Sequence, residues 1–72
     1  MSDTDAKLVR MANQIATFFE TQPERAEGVA RHLNDFWDPR MRTAFGRLLA
    51  AGGTGLHPLV LEAAPDIRIP AA

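Results

Sequence analysis

Apolar residues recur at helical spacing through the first twenty positions. Leu8, Met11, Ala12, Ile15, Phe18 and Phe19 fall three or four apart, which predicts a first helix. Asp3, Thr4 or Asp5 is expected to cap it, with acidic groups at its positive end. Thr21-Gln22-Pro23 interrupts the pattern. A second helix is expected from Pro23, with Thr21 or Gln22 as an imperfect cap and Glu24 and Glu27 in its first turns. Its apolar face reads Ala26, Val29, Ala30, Leu33, Phe36 and Trp37. Gly28 on this helix costs up to ~1 kcal/mol relative to alanine, unless it serves to admit the first helix at close range.

The stretch from His32 to Arg42 fuses a helix stop to a helix start. The residue before a proline is pushed out of the α region, so the second helix ends near Trp37. Asp38 then caps a third helix with Pro39 at its first position, where a missing N–H is harmless. Met41, Phe45, Leu48 and Leu49 form one side of that helix, and Gly52-Gly53 end it. Pro58 opens a short fourth helix that buries Leu56, Leu59, Val60 and Ala63, and Pro65 stops it. Ile67 and Ile69 alternate with charge in the remaining tail, a pattern of extended chain. That tail is either disordered or laid along another surface. The expected fold is therefore all-α: a small bundle of three helices plus a short fourth helix, spanning residues 1–65, and an extended C-terminal tail over 66–72.

Composition narrows the possibilities. A chain of 72 residues is one domain at most. Domains of that size bury only about 60% of their unfolded surface and commonly need a disulfide, metal or partner. Cysteine is absent, which closes the disulfide route together with thiolate zinc and cysteine-ligated iron–sulfur sites. Twelve alanines account for much of the 46% hydrophobic content and add little burial. The core is thin, and a partner protein is the natural substitute for a staple. The formal net charge of −1 argues against a surface that neutralises phosphates. The balance is uneven, since four arginines face two aspartates between residues 31 and 47. No run approaches the about 18 apolar residues of a membrane span. The acidic start Met1-Ser2-Asp3-Thr4-Asp5 lacks the basic region of a signal peptide. A cytoplasmic protein without membrane contact is the expectation.

No catalytic set emerges. His32, Asp35 and Asp38 lie one helical turn apart, but capping explains Asp38, and a solvated helix face explains the other two. A metal site would need a further ligand in a rigid frame. His57 precedes Pro58, as a loop or capping residue would. Gly52-Gly53-Thr54-Gly55 lacks the lysine and the preceding strand of a phosphate-binding loop. An alternative is a small helix-turn-helix DNA-binding domain, reading bases through Arg40, Arg42 and Arg47. The acidic balance and the absence of Asn, Gln, Ser or Lys near the start of the third helix weigh against it. An interaction module fits better. Phe36, Trp37, Arg40, Met41 and Arg42 supply within seven positions the residue types enriched at interface centres. Consecutive helical residues point about 100° apart. One of Phe36 and Trp37 is therefore expected to pack inward while the other, with Arg40 or Arg42, faces a partner. Trp37→Ala is expected to weaken assembly more than it unfolds the chain. Ile67 and Ile69 of the tail complete the expected contact set.

Several segments together resemble the delta subunit of bacterial NAD-dependent formate dehydrogenase. They are Lys7-Leu8-Val9-Arg10-Met11-Ala12-Asn13-Gln14-Ile15-Ala16, Phe18-Phe19, Val29-Ala30-Arg31-His32-Leu33, Phe36-Trp37-Asp38-Pro39-Arg40-Met41-Arg42 and Leu56-His57-Pro58-Leu59-Val60. The likeness covers roughly residues 7 to 64, and Phe36 to Arg42 is its most distinctive part. It implies a non-catalytic accessory subunit of a multi-subunit molybdenum or tungsten enzyme, bound to the catalytic (alpha) subunit. In such complexes the catalytic subunit carries bis-molybdopterin guanine dinucleotide and iron–sulfur clusters. Other subunits carry FMN and further clusters. This chain, without cysteine or a nucleotide loop, is expected to bind no cofactor itself.

Overall fold

The computed structural model describes residues 2–70. Four helices follow one another: α1 (Asp3–Phe19), α2 (Ala26–Phe36), α3 (Pro39–Ala50) and α4 (Pro58–Ala63), with a 3-10 turn over Ala64–Asp66. Strands are absent among the described residues, and the all-α class read from the sequence is the class observed.

Two helix starts differ from expectation. Ser2, not Asp3, Thr4 or Asp5, caps α1, and its Oγ accepts from the Asp5 N–H at 3.1 Å. Asp3 and Asp5 instead sit inside the first turn, where their charge suits the helix dipole. The second helix begins at Ala26 rather than Pro23. Residues 20–25 are spent in turns that reverse the chain so that α2 can lie back on α1. Arg25, the residue before α2, has φ 45°. That conformation is unfavourable for a residue with a Cβ. The Arg25 Nη1 donates to the Glu20 carbonyl at 2.7 Å and ties the reversal together.

The joint between α2 and α3 follows the local chemistry. Trp37 is extended (φ −88°, ψ 131°), as a residue before Asp38-Pro39 can be without strain. The Asp38 carboxylate accepts from the Met41 N–H at 2.9 Å and caps α3. At the far end the Gly53 N–H bonds the Leu48 carbonyl at 2.9 Å and the Gly52 N–H bonds that of Leu49 at 3.1 Å. This is the paired Schellman arrangement, and Gly52 at φ 111° supplies the turn that a side chain would resist.

Helix α2 is the centre of the molecule, packed against both α1 and α4. Val29, Leu33, Phe45 and Val60 are its largest fully buried neighbours and members. Ala12, Ala16 and Ala63 are fully buried too. Their small side chains let the backbones close. Gly28 does the same at the end of α1: a Cβ there would overlap the Phe19 ring. Trp37 meets Phe45 edge-to-face, centroids 5.4 Å apart at 89°.

Two asparagines stitch distant segments onto this core. Asn13 on α1 donates through Nδ2 to the Gly55 carbonyl (2.9 Å) and accepts at Oδ1 from the His57 N–H (2.8 Å). His57 in turn accepts at Nδ1 from the Leu59 N–H, which caps α4, and its Nε2 lies 3.1 Å from Glu20 Oε1. Asn34 on α2 repeats the device. It donates to the Asp66 carbonyl (3.0 Å) and accepts from the Arg68 N–H (2.7 Å). Ile67 is buried between these two bonds, and Ile69 lies over Gly46 of α3. Residues 71 and 72 of the expected tail lie outside the described residues.

Candidate functional site

The site is built by consecutive aromatic residues. Phe18 and Phe19 end α1, and Phe36 and Trp37 end α2. In each pair the helical turn sends one ring toward the core and the other away. Phe19 turns toward Gly28 while Phe18 stays 61% exposed. Trp37 is 5% exposed while Phe36 is 73% exposed. A band of rings links the two helices. Phe18 meets Phe19 edge-to-face with centroids 5.1 Å apart. Phe19 lies 6.4 Å from His32, and His32 lies 4.7 Å from Phe36.

Between these helices and the start of α3 runs an open groove of about 670 Å³. Met11, Ile15 and Trp37 contribute apolar wall on the core side, the aromatic band lies along it, and Met41 adds to it from α3. Among the described residues, Gln14 and His32 are the polar residues that line it, and no Asp, Glu, Lys or Arg does. A small substrate is normally oriented by several convergent polar groups, which this lining does not provide. Among the described residues no three His, Cys, Asp or Glu side chains converge as metal ligands would. An exposed apolar recess bordered by two solvent-facing phenylalanines is the character of a protein-docking surface.

The residues expected to form the contact set separate into three groups. Phe36 and Met41 line the groove, whereas Arg40, exposed on the first turn of α3, adjoins Met41 in sequence without lining it. Trp37, Arg42 and Ile67 are structural. Trp37 forms part of the groove wall but is buried, so the residue turned to solvent at the corner is Phe36, and the expected effect of Trp37→Ala is corrected accordingly. Arg42 spends its guanidinium inside the chain, donating to the Trp37 carbonyl (3.1 Å) and the Arg68 carbonyl (2.7 Å). That arginine is therefore also withdrawn from the base-reading role a helix-turn-helix would need. Ile67 is 5% exposed and belongs to the core. Ile69 stays 38% exposed but packs over Gly46 and does not line the groove.

Phe18, Ile15 and Met11 enter the site although periodicity places them on the apolar face of the first helix. The signal was present in the sequence: Phe18-Phe19 obeys the same 100° argument as Phe36-Trp37. Membrane crossing is not within reach of any helix among the described residues, none being long and apolar enough.

No curated protein matches the chain. The family model described as NADH-dependent formate dehydrogenase delta subunit FdsD matches residues 7–64. That span contains every residue of the groove, and it stops short of the docked segment from Asp66 onward. By that match over most of its length, the chain belongs to the NADH-dependent formate dehydrogenase delta subunit family.

Proposed function

We propose that this chain is a non-catalytic accessory subunit that binds and stabilises, or helps assemble, a cytoplasmic NAD-dependent molybdenum formate dehydrogenase. A delta subunit is one part of a multi-subunit enzyme, and the family membership supports that much directly. The partner is the catalytic (alpha) subunit. In this reading the bis-molybdopterin guanine dinucleotide, the iron–sulfur clusters and the FMN reside in the other subunits. The observation that carries the proposal is the apolar groove with Phe18 and Phe36 standing in solvent at its sides.

The physical role follows from linkage. A chain that binds only the folded partner shifts the partner's folding equilibrium by mass action, without touching its chemistry. Burial of the groove contributes about 25 cal/mol per Å² of apolar surface, offset in part by the cost of association. Native mass analysis of the purified active enzyme tests the reading. A stoichiometric 7.9 kDa component identifies a resident subunit. Its presence only on cofactor-free precursor identifies an assembly factor. Its absence from both, with the chain co-expressed, overturns the proposal.

A further inference from the structure

The chain past α4 is gripped by its backbone. The Asn34 side chain donates to the Asp66 carbonyl at 3.0 Å and accepts from the Arg68 N–H at 2.7 Å, so one amide brackets Ile67. A donor beside an acceptor is the pair that a strand edge offers to an extended peptide. Ile67 between the two bonds is extended (φ −80°, ψ 123°) and 5% exposed. Arg42 donates through Nη1 to the Arg68 carbonyl at 2.7 Å, while its Nε holds the Trp37 carbonyl at the α2–α3 joint (3.1 Å). Ile69 sits over Gly46, where a Cβ would stand 2.6 Å from its Cγ2. Asp66 and Arg68 are exposed, and among the described residues neither side chain makes a hydrogen bond or an ion pair.

We propose that Asn34, Arg42 and Gly46 form a peptide-binding site, with residues 66–70 of this chain as its ligand bound in cis. The ligand class is an extended segment with branched aliphatic residues at alternate positions and any residue between them. Each bond from Asn34 and Arg42 to the segment reaches a backbone atom. Affinity therefore comes from the main chain, and selectivity from the seats of the two isoleucines. With the end of α4 the segment shares one local bond, from the Ile67 N–H to the Ala64 carbonyl. The three site residues lie inside the span matched by the family model, and the ligand lies beyond it. A short tether keeps such a ligand at an effective concentration on the order of millimolar, so a weak intrinsic affinity is enough to fill the site. None of the three site residues lines the aromatic groove, so this site stands apart from the docking role proposed there.

The test empties the site in the full chain and refills it from solution. Ile67→Ser together with Ile69→Ser removes both anchors from the tethered segment. A capped peptide spanning Pro65–Pro70 is then added at up to about 10 mM, well above the effective concentration of a short tether. We expect saturable binding. Peptide at ten times its dissociation constant shifts the folding equilibrium of the double variant about elevenfold toward the native state. The NMR signals of the Asn34 side-chain amide move with it. If the double variant is unfolded by itself, the same linkage makes the peptide restore its helical circular dichroism. A peptide carrying Asp66→Ala and Arg68→Ala binds within about threefold of the parent peptide, because those side chains face solvent. One carrying Arg68→Pro lacks the N–H that Asn34 holds and binds about tenfold more weakly. Equal binding of the Arg68→Pro peptide, or rescue by a peptide carrying both serines, overturns this mode of recognition. No refolding and no movement of the Asn34 signals at the highest peptide concentration overturns the site itself and makes residues 66–70 an inseparable part of the core.

Discussion

At Phe36 and Trp37 one peptide bond separates the chain's interior from its exterior. Trp37 packs on Phe45 and seals the corner between α2 and α3. Large aromatic to alanine changes in a core cost about 3–5 kcal/mol, and a core of this size supplies no more than about that in total. Trp37→Ala is therefore expected to leave the isolated chain largely unfolded at 25 °C by circular dichroism. Phe36→Ala, at an exposed position, is expected to stay within about 0.5 kcal/mol of the parent. Any assembly defect in Phe36→Ala then reports docking alone. Arg25 offers a second comparison. Its positive φ carries a cost that glycine avoids, and its side chain makes a bond that glycine lacks. Arg25→Gly and Arg25→Ala both lose the bond, but only alanine keeps the strain. Denaturant melts should show the glycine variant more stable than the alanine variant by about 1 kcal/mol.

Among the elements, helix ends and extended segments are held by different means. Caps are local: Ser2, Asp38 and His57 each bond a backbone N–H two or three residues ahead. Beyond one local bond from the Ile67 N–H to the Ala64 carbonyl, the extended segment after α4 is held by tertiary contacts: bonds from Asn34 and Arg42, the burial of Ile67, and Ile69 seated over Gly46. A Cβ at Gly46 would stand 2.6 Å from the Ile69 Cγ2, so Gly46→Ala is expected to lift Ile69 off α3. Asn34→Ala removes both bonds that grip the chain around Ile67. In hydrogen exchange, the Arg68 amide should lose protection in Asn34→Ala while amides in the middle of α1 keep theirs. Retained protection at Arg68 would mean that burial of Ile67 alone holds the segment.

For the molecule as a whole, the core is completed by residues from beyond the fourth helix. Ile67 contributes a buried side chain, and burial of a residue of that size is worth about 1.5–3 kcal/mol. A chain ending at residue 65 is thus expected to lose at least about 2 kcal/mol in a urea melt relative to the full chain. An unchanged midpoint would make residues 66–72 an appendage. Binding through the groove should act in the opposite direction. If the catalytic subunit is the partner as proposed, a saturating amount of it should raise the melting temperature of this chain by linkage, and Phe36→Ala should shrink that increment without altering the melt of the chain alone.

Much of the architecture was written in local chemistry. Helical spacing of apolar residues located all four helices, because a helix must turn one face to the core wherever it lies. Proline and glycine marked the start of α3, its end and the start of α4, because their backbone limits act within one turn. The aromatic pair at the end of α2 announced that one of its rings would be exposed, and the pair at the end of α1, read in sequence only as apolar face, obeys the same rule. Which ring that was, Phe36 rather than Trp37 and Phe18 rather than Phe19, depended on the angle at which the helices meet, and no short stretch of sequence encodes that angle. The same holds for Arg25, Arg42 and Asn34. Their roles are bonds to backbone groups brought near by the chain's reversals, and a side chain's own neighbours in sequence carry no record of a carbonyl that arrives only when the fold closes.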